Sequence, residues 1–295
     1  MRQHFCRAIL FSVLATGASS VFAQCEIFPA RFPEPGLNLF PIEHDKKKGA
    51  ESLEGLESLV YNWTMGQYPK TSEDPIITDY LNTLLLKLSL VAPEYARVFS
   101  YRTAVHVLPE INAVSLSGGA ILVTAGLLAK APSEDFLVET LAHEMGHAAL
   151  RHGSAMETRE QLYAFEDTLV SFEYYSPRLQ SSNEKRKEAL GLLMKDINER
   201  LEGLTQFRVK QETEADFFAA RVMLKAGFNP RSVVESYLKN PAHGRGYVDW
   251  GDHPPNRIRR ELLECEMKEH PPQREEMRPP EFLAAQKRAQ ELLEE

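Results

Sequence analysis

Cysteine and tryptophan are scarce in this chain, with three and two residues respectively among 295. So few cysteines exclude the disulfide-dense scaffold on which small secreted domains rely. Positive charge is also in deficit: 34 lysines and arginines stand against 42 aspartates and glutamates, for a net charge of −8. The mixed-sign surface this implies carries no basic footprint, so no nucleic-acid partner is expected. Beyond the N-terminus no uninterrupted apolar run approaches the roughly 18 residues that span a bilayer. What remains is 43% hydrophobic and 26% charged, enough for one or two globular domains and incompatible with disorder or a fibrous repeat.

The first 23 residues read as a secretory signal peptide. Arg2 and Arg7 supply a positive start, Ala8 to Ala15 an apolar stretch, and Val21-Phe22-Ala23 a small-residue cleavage pattern before Gln24. An uncleaved membrane anchor is the alternative, disfavoured by the break at Thr16-Gly17. Cleavage after Ala23 removes two arginines and no acid, taking the charge from −8 to −10. Cys6 leaves with this segment, and in an oxidising compartment Cys25 and Cys265 are expected to form a disulfide.

Residues 24–50 hold four prolines and Lys46-Lys47-Lys48, which predicts an irregular arm. Helical spacing follows over Glu51–Met65 and Asp74–Val91. Short β-type runs, Thr103–Leu108, Ala113–Leu116 and Ala120–Val123, are separated by Pro109, Asn112 and Gly118-Gly119. The rest reads as helical: Ser133–His152, Asn183–Leu204, Gln206–Ala226 and Arg231–Lys239. Between the first two of these, Gly153 to Lys185 reads as a helix pair or a lid over a cleft. Residues 270–295 are expected to be a peripheral helix and tail. The fold class is therefore α+β and predominantly helical, with one small sheet and a main domain over residues 51–269.

Within the Ser133–His152 helix stands His143-Glu144-Met145-Gly146-His147. Histidines at i and i+4 project from one face and can grip one metal ion, and Glu144 beside them can activate a water. This is the HExxH pattern of zinc hydrolases. A third ligand at position 153, as in metzincins, is excluded because Leu150 and Gly153 stand where that class needs glycine and histidine, and His152 is out of register. The remaining source is a second helix, where Glu212 and Asp216 share a face. One of these carboxylates can bind the metal while the other accepts the outer N–H of a ligand histidine.

Three blocks, HEMGH at 143–147, ETEAD at 212–216 and NAVSLSGGAILVTAGLL at 112–128, resemble the zinc metallopeptidases of the HtpX, BepA and OMA type, peptidase family M forty-eight. The likeness runs from about residue 100 to residue 260. It implies a zincin-like domain holding one zinc ion through His143, His147 and Glu212, with Glu144 as catalytic base. Asp216 is implied as a proton donor, although its spacing favours an orienting role. A His-Pro loop followed by Arg-Ile is similar here at His253-Pro254-Pro255-Asn256-Arg257-Ile258, implying that His253 gates the metal or that Arg257 stabilises an oxyanion. The family's arginine three residues before the ligand glutamate is replaced by Val209.

With the export signal, this resemblance implies a periplasmic endopeptidase acting on misfolded or misassembled envelope proteins, with assembly-machinery partners or peripheral membrane association. An extended substrate is expected to pair with a strand edge near Gly118-Gly119. The alternative from a different class is a noncatalytic, zinc-containing chaperone or assembly factor, which an intact Glu144 disfavours.

Overall fold

Capping side chains and prolines set the helix boundaries in the computed structural model, which describes residues 31–59, 71–72, 74–170, 176–179, 182–231, 233–235 and 256–295. Helix α1 spans Ile42–Leu59, directly after Pro41 and with Glu43 and Asp45 in its first turn. It thus starts within the stretch expected to be an irregular arm. Lysine is a good helix former, so Lys46-Lys47-Lys48 extends the helix where the sequence pattern suggested a loop. Strand β1 is Thr71–Ser72. Helix α2, Pro75–Val91, is opened by Asp74, whose carboxylate accepts from the Ile76 N–H at 3.0 Å, with proline in the first turn.

The sheet is completed by β2 (Arg102–His106), β3 (Ala113–Ser115) and β4 (Ala120–Thr124), in the order β1-β2-β4-β3. Strands β2 and β4 are parallel, while β1 and β3 pair antiparallel to them. Among the described residues β3 is thus an edge strand. Leu116 N–H bonds to the Ala120 carbonyl, and Ser115 sits opposite Ile121 in the intervening position. In an antiparallel ladder that alternation turns the Ser115 N–H away from β4, toward the free edge.

Helices follow the sheet directly. Helix α3 (Ala125–Lys130) is capped by Thr124. Helix α4 (Glu134–Ala149) is capped by Ser133, whose hydroxyl accepts from the Phe136 N–H at 3.2 Å, with Glu134 and Asp135 meeting the helix dipole. Nearly every residue of α4 is buried, so it is the central helix. It ends at Leu150, and Arg151, at φ 58°, turns the chain into α5 (His152–Val170). After the single turn α6 (Ser176–Leu179), α7 runs unbroken from Asn183 to Lys225. The sequence pattern predicts two helices there, Asn183–Leu204 and Gln206–Ala226, and Gly203 lies inside the single helix that forms. One mid-helix glycine costs only about 1 kcal/mol, too little to end a helix of this length.

Helix α4 packs along α7, α8 (Asn256–Glu269) covers α7, and α9 (Pro280–Glu294) lies against α2 and α3. The helix expected there is present, and the last contact makes it part of the core where a peripheral position was expected. Phe282, Ala285 and Ala289 are fully buried, and Gln286 donates to the Leu128 and Ala131 carbonyls at the end of α3. The linker before α9 is tied down as well, because the buried Asp135 accepts from the Met277 and Asn229 backbone N–H groups and pairs with Arg274. Phe32–Glu295 makes one compact unit.

Cys265 is buried and disulfide-bonded, and Cys25 lies outside the described residues. So do the signal-like segment, the 171–175 part of the suggested lid and most of Arg231–Lys239. Among the described residues no helix is long and apolar enough to cross a membrane.

Candidate metal centre

Close approach of α4 and α7 is what makes the site. At the crossing stands Gly146, where a Cβ would lie 3.2 Å from both the Cα and the carbonyl oxygen of Ala215. A glycine there lets the backbones approach, and the side chains one turn away on each helix then face each other across a short gap. From α4 come His143 and His147; from α7 comes Glu212. Their ligand atoms all lie within 4.8 Å of one another. The Nε2 atoms of the two histidines are 3.1 Å apart, and the Glu212 carboxylate is 3.2 Å from His143 Nε2 and 3.4 Å from His147 Nε2. Two imidazole nitrogens and one carboxylate oxygen suit a divalent transition metal, and three protein ligands are the number that leaves a fourth position to water in a catalytic site.

Each imidazole keeps its Nδ1 for a different partner. His143 Nδ1 is 2.9 Å from Asp216 Oδ1, and because a carboxylate only accepts, that nitrogen carries the proton and leaves Nε2 directed at Glu212 and His147. Asp216 is in turn gripped by Arg259 of α8, which donates from Nε at 2.7 Å and from Nη2 at 2.6 Å. All three side chains are buried. Burial works to lower the pKa of His143, but its bonds to Asp216 and Glu212 outweigh this and hold it at about 10. Burial opposes the Asp216 charge too, and Arg259 with His143 overcomes that, keeping the carboxyl well below the usual range.

Glu144 faces the other way, toward the sheet. Its Oε2 accepts from the Ser115 backbone N–H of β3 at 2.8 Å, so the edge strand fixes the carboxylate beside the two histidines. Burial pushes its pKa up, against the pull of His143 and His147. A carboxyl raised in this way is matched to accepting and returning a proton.

Of the residues singled out in the sequence, the structure therefore brings together His143, Glu144, His147, Glu212 and Asp216. It does not bring Arg257 there. That side chain is exposed on α8 and 3.8 Å from Glu261, its own i+4 neighbour, so the structure gives no support to an oxyanion role. His253 lies outside the described residues. Sequence reasoning missed Arg259, although a signal for it exists: Arg259, Leu262, Leu263 and Glu266 are spaced i, i+3, i+4, i+7, and this is the face that α8 buries. It gave no role to His152 or Glu214, whose side chains lie 3.5 Å apart just outside the ligands.

A buried helix carrying His143 and His147, facing a second helix that carries Glu212, is an arrangement able to hold one divalent metal ion. Residues 83–278 match the model of peptidase family M48, and the chain belongs to that family of metallopeptidases. It is 26% identical over 254 residues to the beta-barrel assembly-enhancing protease of Yersinia pestis, covering 81% of this chain and 47% of that one. With the protein of the same name from Escherichia coli (strain K12) it shares 25% over 167 residues, 54% of this chain and 32% of that one. Similarity extends to the mitochondrial metalloendopeptidase OMA1 of Arabidopsis thaliana, at 29% over 157 residues, 52% and 29% of the two chains. The chain thus spans about half or less of the length of these relatives.

Proposed function

We propose that this chain is a zinc-dependent endopeptidase of the gluzincin type, HExxH plus a downstream glutamate, exported to the periplasm and acting on misfolded or misassembled envelope proteins. The observation that carries the catalytic part is the convergence of His143, His147 and Glu212 within 4.8 Å, with Glu144 fixed beside them by the Ser115 N–H. The residues present fit zinc, a metal that accepts nitrogen and oxygen ligands together. Held by His143, His147 and Glu212, zinc would supply the Lewis acidity that makes water a nucleophile near neutral pH and polarises a peptide carbonyl.

The chain's own residues do the rest. Glu144 takes the proton from the attacking water and delivers it to the leaving amine, a task suited to a carboxyl whose pKa burial has raised. Asp216 and Arg259 hold His143 in the tautomer that presents Nε2. An extended substrate would pair along the outer edge of β3 through backbone groups other than the Ser115 N–H, which Glu144 holds, and would be read by shape more than by side-chain identity. Support for the envelope setting is twofold: the signal-like N-terminus, and likeness to proteases named for enhancing β-barrel assembly.

Metal analysis and casein hydrolysis on the purified protein beside Glu144→Gln test this. Bound zinc in both and hydrolysis only in the unmodified protein is the expected result. Equal hydrolysis eliminates Glu144 as the base, and zinc without hydrolysis in either points to a noncatalytic chaperone or assembly factor. Fractionation of cells expressing the full chain tests the location; retention in the cytoplasm would overturn it.

A further inference from the structure

We propose that His152 and Glu214 are positioning residues for His147: His152 accepts the outer N–H of His147 and is itself aligned by Glu214, so that His147 presents Nε2 to the metal. This rests on the reading of His143, His147 and Glu212 as ligands, and it gives the second histidine a support as definite as the one Asp216 gives the first.

The geometry begins at the end of α4. Leu150 closes that helix and Arg151, at φ 58°, reverses the chain's direction, so His152 opens α5 folded back against His147 instead of continuing along the helix. His152 Nδ1 lies 3.0 Å from His147 Nδ1, with ring centroids 4.9 Å apart and planes at 80°. Two Nδ1 atoms at that distance share one proton between a donor and an acceptor. If His147 binds through Nε2, its own proton is on Nδ1, and His152 must accept. The proton of His152 then sits on Nε2, which is buried, makes no hydrogen bond, and has Glu214 Oε2 3.5 Å away. A carboxylate at that distance favours the tautomer that carries the proton on Nε2, so one arrangement of protons runs from the metal position to Glu214 without placing two hydrogens between the facing Nδ1 atoms.

The outer members are themselves held. Gln211 donates from Nε2 to the His152 carbonyl at 2.9 Å, fixing the start of α5 against α7 one residue before the ligand Glu212. Lys210 is 3.4 Å from Glu214, one helical turn away. The side chain of His152 is 7% exposed and that of Glu214 is 25% exposed, so the relay runs from the buried ligand outward to the surface. The supports differ in kind: His143 meets a carboxylate, whereas His147 meets a neutral ring with a carboxylate behind it.

Zinc affinity measured by chelator competition, on the unmodified protein and on His152→Leu and His152→Asn, tests the proposal. Loss of an outer partner of a ligand histidine typically weakens metal binding by about 10–100-fold, which is the expectation for His152→Leu. Asparagine places an amide oxygen near the position of Nδ1, so His152→Asn is expected to recover most of that loss, with both metal-free variants melting at the same temperature. Unchanged affinity in His152→Leu, or no recovery in His152→Asn, overturns the proposal. Should the leucine variant fail to fold, Glu214→Gln, at a partly exposed position, is expected to weaken zinc binding, and undiminished affinity there overturns it equally. Nitrogen-15 shifts of the His147 ring in metal-free protein separate this inference from the reading beneath it. A protonated Nδ1 in the unmodified chain that is lost in His152→Leu supports the positioning role even if the chain proves to bind no zinc, whereas the same tautomer in both overturns it.

Discussion

Arg259 donates two hydrogen bonds to the carboxylate of Asp216, at 2.7 and 2.6 Å, and all of this lies out of reach of solvent. The pair links α8 to α7 at the residue that orients His143. Removing one partner of a buried ion pair costs about 3–5 kcal/mol when the charge left behind has no other partner. Asp216 keeps His143, which is protonated at neutral pH in the metal-free protein, so Arg259→Leu is expected to destabilise by less than that. Urea unfolding in the presence of a chelator measures it, and a loss of the full amount at pH 7 would show that His143 does not compensate Asp216.

The same cluster makes the stability of the metal-free protein depend on pH, with a sign fixed by the two shifts. His143 is raised from 6.5 to about 10, so its contribution is complete below about pH 6.5 and is lost as pH rises through about 10. Asp216 is shifted the other way, and its contribution is present above about pH 4 and lost on acidification. Melting temperatures in chelator are thus expected to fall steadily from pH 6.5 to 10. In Asp216→Asn that alkaline decline should shrink, because the bond that most strongly holds the proton on His143 is weakened. A flat alkaline profile in the unmodified protein would contradict the assignment.

The residues carrying the site were legible because HExxH and ExxxD are local patterns whose helical spacing alone puts their members on one face. What the spacing could not supply is the partner that meets each face. Arg257 drew attention by its place after a His-Pro pair, yet it lies on the solvent side of α8, while Arg259, two residues on, lies on the buried side. His152 was set aside because a metzincin's third ligand would stand at 153, and the sequence gives no sign that α4 ends at Leu150 with Arg151, not glycine, in the left-handed turn. The β-type runs between Arg102 and Val123 were readable from alternation and turn residues, whereas two-residue β1 carries too little pattern to be seen. The tail of the chain shows the same limit. Phe282, Ala285 and Ala289 look like one stripe of an ordinary amphipathic helix, and only the groove between α2 and α3 makes them core.

Gly146→Ala tests the approach of the two ligand helices. In an isolated helix alanine would be favoured over glycine by about 1 kcal/mol. Here the new methyl group would meet Ala215 backbone atoms and Phe218 Cβ, all at 3.2 Å, and Ala215 lies between Glu212 and Asp216 in α7. Overpacking of this kind costs about 1–3 kcal/mol, so the net effect is expected to be destabilising. Any relief must come from moving α7 away, which separates Glu212 from the histidines. Weaker zinc binding should therefore accompany the lower melting temperature, and a more stable Gly146→Ala with full affinity would mean that the contact is not tight.

Ser115→Pro removes one hydrogen bond, spares the sheet, and puts a ring carbon where the amide hydrogen was, so the Glu144 carboxylate must shift off the strand edge. The Ser115 N–H points to Glu144 and not to β4, so proline at this edge position deletes no rung of the β3–β4 ladder. Without that donor the Glu144 carboxylate loses a bond that lowers its pKa, while burial, which raises it, is unchanged. The acid limb of the pH profile of kcat/KM is expected to move to higher pH, since the base must be ionised in the free enzyme. Zinc affinity should stay as in the unmodified protein, because none of the three ligands touches Ser115. A shift in metal affinity with no shift in the acid limb would place the effect of Ser115 on the metal instead of on the base.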